Sequence, residues 1–418
     1  MLRVEDTDRQ RSSQKFTDGI LNDLTWLKLN WDGDVVYQSR NAKRHREIAD
    51  ILLDSGHAYR CCCTERLNPG QADPCRENDV SENVSHVIRF ATPRSGEVIM
   101  NDMVQKQIRV PCDTIDPMVI IRSDGSATFL LACMVDDHDM GVTHVIRGDD
   151  HISNTVRQIL IYQALGWEQP KWAHIPLIHS EDGAKLSKRL GAISISEYKK
   201  LGILPEGLCN YMLRLGWSHG NDEVITQAQA IEWFDIPAIG KSSARTNQDK
   251  LNQINQHYMR NMKSENLLEA IKPLMSNVIG RNITQEEGER INRGIFDLAK
   301  RSKNLVELAD QAMIYCDAEI KISHENLVDL IPYVDLLSLY KKTLEELMDS
   351  EWNEENLEKL ARNFVEAQNI KLKELAQPLR IAITGKKFSP SIFSVMDIMG
   401  KDLAMKKICD GMECCGGE

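Results

Sequence analysis

The sequence predicts an α/β protein whose first half builds a parallel sheet and whose last third is all-helical. Up to about Gly220, short β-rich runs alternate with helical patterns. From about Asn255 onward strand signals are lacking and long amphipathic stretches take over, as in residues 334–347 and 354–365. A chain of 418 residues also exceeds one ordinary core, so roughly two to four domains are expected.

The strongest strand-to-helix step runs through Val142-Thr143-His144-Val145-Ile146-Arg147 into residues 153–165. In the second segment Ile152, Val156, Ile159, Leu160 and Ala164 keep helical spacing, and Asp149, Asp150 and Ser153 offer capping oxygens. Ligands of open parallel sheets sit at the carboxyl ends of strands, which places Arg147 and Asp149 where a site is expected. Residues 190–253 are of mixed character, punctuated by Pro205, Gly216, Gly220, Pro237 and Gly240. No internal repeat occurs, and the tail 411–418 reads as disordered.

An apolar fraction of 42% with 27% charged residues is that of a globular protein, and no apolar run approaches the roughly 20 residues a membrane span needs. The start is charged from Arg3 on and lacks a secretory pattern, so a cytoplasmic location is expected. Eleven scattered cysteines are read as reduced thiols. A net charge of −11 weighs against nucleic-acid binding on average. Between Lys241 and Met275, however, Lys241, Arg245, Lys250, Arg260, Lys263 and Lys272 outnumber the acids, and both a basic docking surface and an ordinary solvated face fit.

Several groups of residues have the types that chemistry needs. In the stretch from His179 to Ala192, Lys185 and Lys188 flank Ser187 with glycines on both sides. Two ammonium groups and a hydroxyl on a movable loop suit a triphosphate and the charge that develops on departing pyrophosphate. Taken alone, such a loop is a weak signal and reads first as an ordinary surface turn. Glu5 follows a short apolar entry, where a carboxylate either holds a substrate ammonium or is a solvated turn acid. Arg147 ends a strand, as a structural ion-pair partner or a fork for a carboxylate. Asp136-Asp137-His138-Asp139 has metal-ligand composition, but neighbours on a strand or turn cannot all face one ion. Cys61-Cys62-Cys63 with Cys75 admits either zinc or free buried thiols.

Four motifs give these residues a common context. The loop Lys185-Leu186-Ser187-Lys188-Arg189 resembles the KMSKS loop of class I aminoacyl-tRNA synthetases in the form seen in the glutamyl-tRNA synthetase family. The run from Val135 to His151, the start Leu2-Arg3-Val4-Glu5-Asp6-Thr7-Asp8-Arg9, and Ala376-Gln377-Pro378-Leu379-Arg380-Ile381-Ala382-Ile383-Thr384-Gly385 resemble that family too, in family order across nearly the whole chain.

The resemblance implies an incomplete Rossmann-type class I synthetase catalytic domain at 1–60 and 120–189, and an inserted acceptor-binding region at 61–119. A stem-contact region at 190–254 and a helical anticodon-binding domain at 255–418 would complete the chain. The implied reaction joins glutamate to ATP, with Mg2+ on the phosphates, and moves the glutamyl group to the 3′ end of tRNA(Glu). By resemblance Lys188, Lys185 and Ser187 bind ATP, while Glu5, Arg147 and Phe129 bind glutamate. Arg301 reads the anticodon of a tRNA, and the protein is a cytoplasmic monomer with no membrane partner. Phe129 is a departure, because most members carry tyrosine there and phenylalanine lacks the hydroxyl. Some members bind Zn2+ at the place of Cys61, Cys63 and Cys75. Here the loop between is short and Glu77 stands where a histidine would be, so free thiols are the favoured reading.

The HIGH signature of class I synthetases does not occur in the sequence. Alignment of Leu2-Arg3-Val4-Glu5-Asp6-Thr7-Asp8 with the family suggests that the few dozen residues holding it are missing. The alternative expectation is therefore a truncated, inactive tRNA-binding remnant of the same family.

Overall fold

The computed structural model describes residues 1–7, 12–63, 73–78, 80–184 and 193–415. Two compact units emerge, Met1–Ile195 with Cys209–Asn247, and Ser196–Leu208 with Gln248–Glu418. Between 193 and 254, Ser196–Leu208 and the part from Gln248 on cluster with the second unit and the rest with the first.

In the first unit β1 (Leu2–Val4) pairs in parallel with β2 (Val35–Tyr37), with α1 (Gln14–Trp26) between them in the chain. After α2 (Ala42–Asp54) come β3 (Ala58–Cys61), the short helix α3 (Pro74–Glu77) and β4 (Val87–Phe90). The hairpin β5 (Glu97–Asp102) and β6 (Lys106–Pro111) precedes β7 (Val119–Ile121), and β3, β4 and β7 form an antiparallel sheet. Helix α4 (Phe129–Asp139) then leads to β8 (His144–Gly148), α5 (Ile152–Leu165) and β9 (Lys171–Ile175). A four-stranded sheet in the order β6-β5-β9-β8 results, with β8 and β9 parallel across the α5 crossover, as parallel strands require.

Two features of this sheet position the site. Arg147 sits opposite His174, and β5 joins β9 in parallel at the pair Asp102 and Trp172. Along β5 burial alternates strictly, so Asp102 falls on the buried face with Val98 and Met100. Helix α5 buries Thr155, Gln158 and Tyr162 at i, i+3 and i+7, a stripe that includes two polar side chains. The apolar core around it includes Leu52, Phe90, Met100, Leu131, Ile159 and Trp172.

One expectation about α5 is corrected. Asp149, Asp150 and Ser153 do not cap it: the N-cap is His151, without a side-chain cap bond, and Asp149–His151 form a 3-10 turn that feeds the helix instead. The acidic run 136–139 is likewise neither strand nor turn but the last turn of α4.

Among the described residues the chain from Gln248 on is helical and without strands. Its helices start where side chains satisfy free amides. Thr284 and Glu287 form a capping box on the helix Gln285–Ala299, and Asn304 and Asn353 cap Leu305–Ala312 and Glu354–Ala367. Their apolar faces share one core, with Leu267, Ile291, Leu337, Leu357, Leu379 and Ile408 among its members. The expected disordered tail is corrected in part, because the helix Lys401–Glu413 continues through Gly411. A Cβ at Gly411 would lie 2.3 Å from the Ala382 carbonyl oxygen, so the absent side chain lets two helices touch. No helix of the described residues is long and apolar enough to cross a membrane.

Candidate active site

The site is assembled from the ends of β1 and β8 and the inward faces of α4 and α5. Arg3, at mid-strand in β1, reaches Asp137 on α4 with Nη1 to Oδ1 at 2.7 Å, and its Nη2 lies 3.4 Å from Glu5 Oε1. Cys133, one helical turn before Asp137, donates its thiol to Glu5 Oε1 at 2.9 Å and accepts from Arg3 at 3.4 Å. Glu5 is thus held on one side by Arg3 and Cys133, while 42% of its side chain remains exposed. It is a fixed and reachable negative charge.

Burial shapes the charges around it. Desolvation pushes the Cys133 thiol well above its ordinary range, and the Glu5 carboxylate adds to this, so Cys133 is a protonated donor. Desolvation also raises the Asp137 carboxyl, against the opposing pull of Arg3. Arg3 loses charge preference to desolvation, but Asp137 and then Glu5 more than compensate and its pKa is raised.

Arg147 supplies the opposite charge. Its Nη2 donates to Thr155 Oγ1 and, at 2.7 Å, to Gln158 Oε1. The guanidinium carbon stands 5.8 Å from the centre of the Trp172 ring. Desolvation presses the Arg147 pKa down, opposed by the carboxylates of Asp137 and Glu5, so these groups belong to one electrostatic neighbourhood. Nε of Arg147 is buried with no hydrogen-bond partner among the described residues. A buried donor left unmatched is costly unless something else accepts from it.

The acidic run is divided among separate tasks. Asp136 accepts from Gln38, Asn41 and His45, each at 2.9 Å, and ties α2 to α4. Asp137 takes Arg3, and Asp139 takes Arg44 and His138. Phe129, the first residue of α4, sits with its ring 6.0 Å from that of His151. Lys185, Ser187 and Lys188 lie outside the described residues. The approach to them is held by Ser180, whose hydroxyl and amide both meet the Ala184 carbonyl at 2.9 Å.

In β3 and α3, Cys61, Cys63, Asp73 and Cys75 bring one ligand atom each within 4.8 Å of one another. Cys63 and Cys75 sulfurs are 3.5 Å apart, close to the edge of a zinc-thiolate tetrahedron with roughly 2.3 Å bonds. Glu77 is elsewhere, paired with Arg94 on the surface. The chemistry of the donor set fits zinc, with Asp73 as a fourth donor that the sequence reading, which favoured free thiols, did not include. In the helical unit, Arg301 is exposed and its charge helps lower the pKa of Arg380, after the larger effect of burial. Arg380 is itself fixed by Ser389 and Gln377, each at 3.0 Å.

Sequence reasoning passed over Arg3, Cys133, Thr155, Gln158 and Asp73 as site residues, and weighed Asp137 only as a metal ligand. Cys133 was discoverable, since it lies four residues after Phe129 on the same helical face. The others depend on packing between segments far apart in the chain.

Residues 1–74 and 73–253 match the family model of tRNA synthetases class I (E and Q), catalytic domain, and residues 266–412 match an anticodon binding domain. A glutamate–tRNA ligase 2 of Paramagnetospirillum magneticum is 42% identical over 99% of this chain and 90% of its own length. This chain belongs to the glutamate–tRNA ligase family of class I synthetases. A second member, the glutamate–tRNA ligase 2 of Zymomonas mobilis, is 41% identical over 98% of this chain and 89% of its own. The family fold is also that of a crystal structure of a glutamate tRNA ligase from Elizabethkingia meningosepticum, with a TM-score of 0.82 at 23% identity. That match covers 99% of this chain and 92% of the other.

Proposed function

We propose that this chain is a glutamate–tRNA ligase that activates glutamate with ATP and passes the glutamyl group to the 3′ end of tRNA(Glu). The observation that carries the reading is the pairing of an anchored, half-exposed carboxylate, Glu5, with a half-buried guanidinium, Arg147, whose Nε lacks a partner among the described residues. A zwitterionic amino acid with an acidic side chain is the complementary ligand: its ammonium meets Glu5 and its side-chain carboxylate meets the Arg147 fork. Phe129, four residues before Cys133 on α4, offers its ring to the bound glutamate.

Lys188, with Lys185 and Ser187, handles the ATP phosphates, stabilising the charge that builds on pyrophosphate. Mg2+ is held mainly by those phosphates and water. Cys61, Cys63, Cys75 and Asp73 hold a structural Zn2+ that fastens β3 to α3 in the acceptor-binding region at 61–119. Residues 190–254 contact the tRNA stem, and Arg301, beside Arg380, reads the anticodon within 255–418. The protein acts as a cytoplasmic monomer.

The test is pyrophosphate exchange into ATP with glutamate and tRNA(Glu) present. Glutamate- and tRNA-dependent exchange is the expected result. Tight tRNA binding without exchange would instead support the tRNA-binding remnant.

A further inference from the structure

Behind Arg147 a chain of three buried polar groups crosses the four-stranded sheet. Asp102 ends β5, His174 lies in β9 and Thr155 in α5, and the side chains of Asp102 and His174 are both 0% exposed. Asp102 Oδ2 stands 2.7 Å from His174 Nδ1, and His174 Nε2 stands 2.7 Å from Thr155 Oγ1. Thr155 Oγ1 in turn receives Nη2 of Arg147.

Donor counting gives this chain a direction. Asp102 collects the amides of Val104 at 2.9 Å, Gln105 at 2.7 Å and His174 at 3.0 Å. Burial works against its charge, but these donors and the imidazole hold its pKa below the ordinary value. An ionised Asp102 only accepts, so His174 Nδ1 must carry a proton towards it. Burial lowers the His174 pKa against the pull of Asp102, with the charges of Arg147 and His151 acting in the same direction as burial. The imidazole is therefore neutral and its Nε2 can only accept. The Thr155 hydroxyl must donate to it, which commits the hydroxyl hydrogen and leaves an oxygen lone pair for Arg147. The competing acceptor, the His151 carbonyl one turn back, is more distant at 3.3 Å.

We propose that Asp102, His174 and Thr155 form a positioning relay that sets the orientation of the Arg147 guanidinium for a substrate carboxylate. The inference rests on the reading of Arg147 as the glutamate fork. It makes the β5–β6 hairpin a working part of the amino-acid pocket, since Asp102 belongs to that hairpin and enters the sheet at the Asp102 and Trp172 pair. The three relay residues are positioning residues; none is assigned contact with substrate. Such an arrangement suits a fork that must be held still while its own donors are presented outward.

The experiment compares wild type, Thr155→Val and Thr155→Ser in the full chain with tRNA(Glu), measuring glutamate binding by calorimetry and the KM values for glutamate and ATP in pyrophosphate exchange. Val has nearly the shape of Thr and lacks the hydroxyl. Loss of one hydrogen bond to a charged group weakens binding by about tenfold or more. Thr155→Val is expected to raise the glutamate Kd and KM by that factor, to leave the ATP KM within about twofold, and Thr155→Ser to restore both. Equal glutamate binding by Thr155→Val and wild type, or equal losses in Val and Ser, overturns the relay and leaves the glutamate reading standing. A wild type that binds no glutamate overturns the reading of Arg147 and the relay with it. Should Thr155→Val fail to fold, the wild-type profile decides. Burial moves the protonation of His174 below the ordinary imidazole range; once protonated, Nε2 becomes a donor, so glutamate KM should rise on acidification through that lower range while ATP KM holds, and a flat glutamate KM overturns the relay.

Discussion

Cys133 Sγ lies 2.9 Å from Glu5 Oε1, joining the middle of α4 to the residue just past β1. A protonated thiol in this position serves as a hydrogen-bond donor and has no need to react. Replacement by Ser should keep the donor and glutamate affinity. Cys133→Val should raise the glutamate KM by about tenfold or less, since one such bond contributes roughly 0.5–1.5 kcal/mol. Steady-state aminoacylation with both variants checks this, and an unchanged KM in Cys133→Val would count against the role of Glu5.

Arg147→Lys should be far more damaging than its conserved charge suggests. Lysine cannot donate in a planar fork while also holding Thr155 and Gln158, so glutamate KM should rise by at least about tenfold. Tm should shift little. A lysine variant with wild-type glutamate KM would show that Arg147 is structural only.

The cysteine cluster gives a metal prediction. Purified wild type should carry close to one zinc per chain by atomic emission, and Cys75→Ser much less. Metal removal by a chelator should lower Tm and release the constraint between β3 and α3. Without a cation, hydrogen bonding to Cys75, reinforced by burial, pushes the Cys63 thiol up to about 12, so zinc uptake should release protons. No zinc in protein purified without chelator would favour the free-thiol reading.

Acid stability should be sensitive to Glu287. Its bidentate partner Arg281, at 2.7 and 2.8 Å, and the amides of Thr284 and Asp317 hold its carboxyl down to about 2 from an ordinary 4.5 despite burial. The unfolded state then binds a proton that the folded state refuses. Stability from Glu287 is therefore complete above about 4.5 and is lost as pH falls towards about 2. Urea midpoints measured down this range should fall more steeply in wild type than in Glu287→Gln, and equal slopes would refute the assignment.

Gly411→Ala should destabilise the helical unit. The added methyl meets the Ala382 carbonyl at 2.3 Å, and overpacking of this kind costs roughly 1–3 kcal/mol. A thermal melt reads the effect directly.

Much of this molecule was legible in the chain because periodicity is local. The switch from strand-and-helix alternation to unbroken amphipathic helices, and the strand before α5, need only neighbouring residues to be seen. Glu5 and Arg147 were legible as candidates for the same reason, as residues next to strand ends inside recognisable motifs. The capping of α5 was misread because three suitable oxygens stood near its start, and sequence alone does not say which of them the 3-10 turn will direct away. The tail was misread because glycines suggest disorder, whereas Gly411 is small in order to let a helix approach Ala382.

The sequence by itself determined the fold class, the family motifs and which charged residues were available. Only the tertiary structure decided their partners: that Cys133 faces Glu5, that Asp73 joins three cysteines, and that Asp102 reaches His174 across a strand boundary. The physical reason is that hydrogen bonds act over about 3 Å, while the residues they join here are separated by up to 128 positions and meet only after the sheet registers and helices have packed.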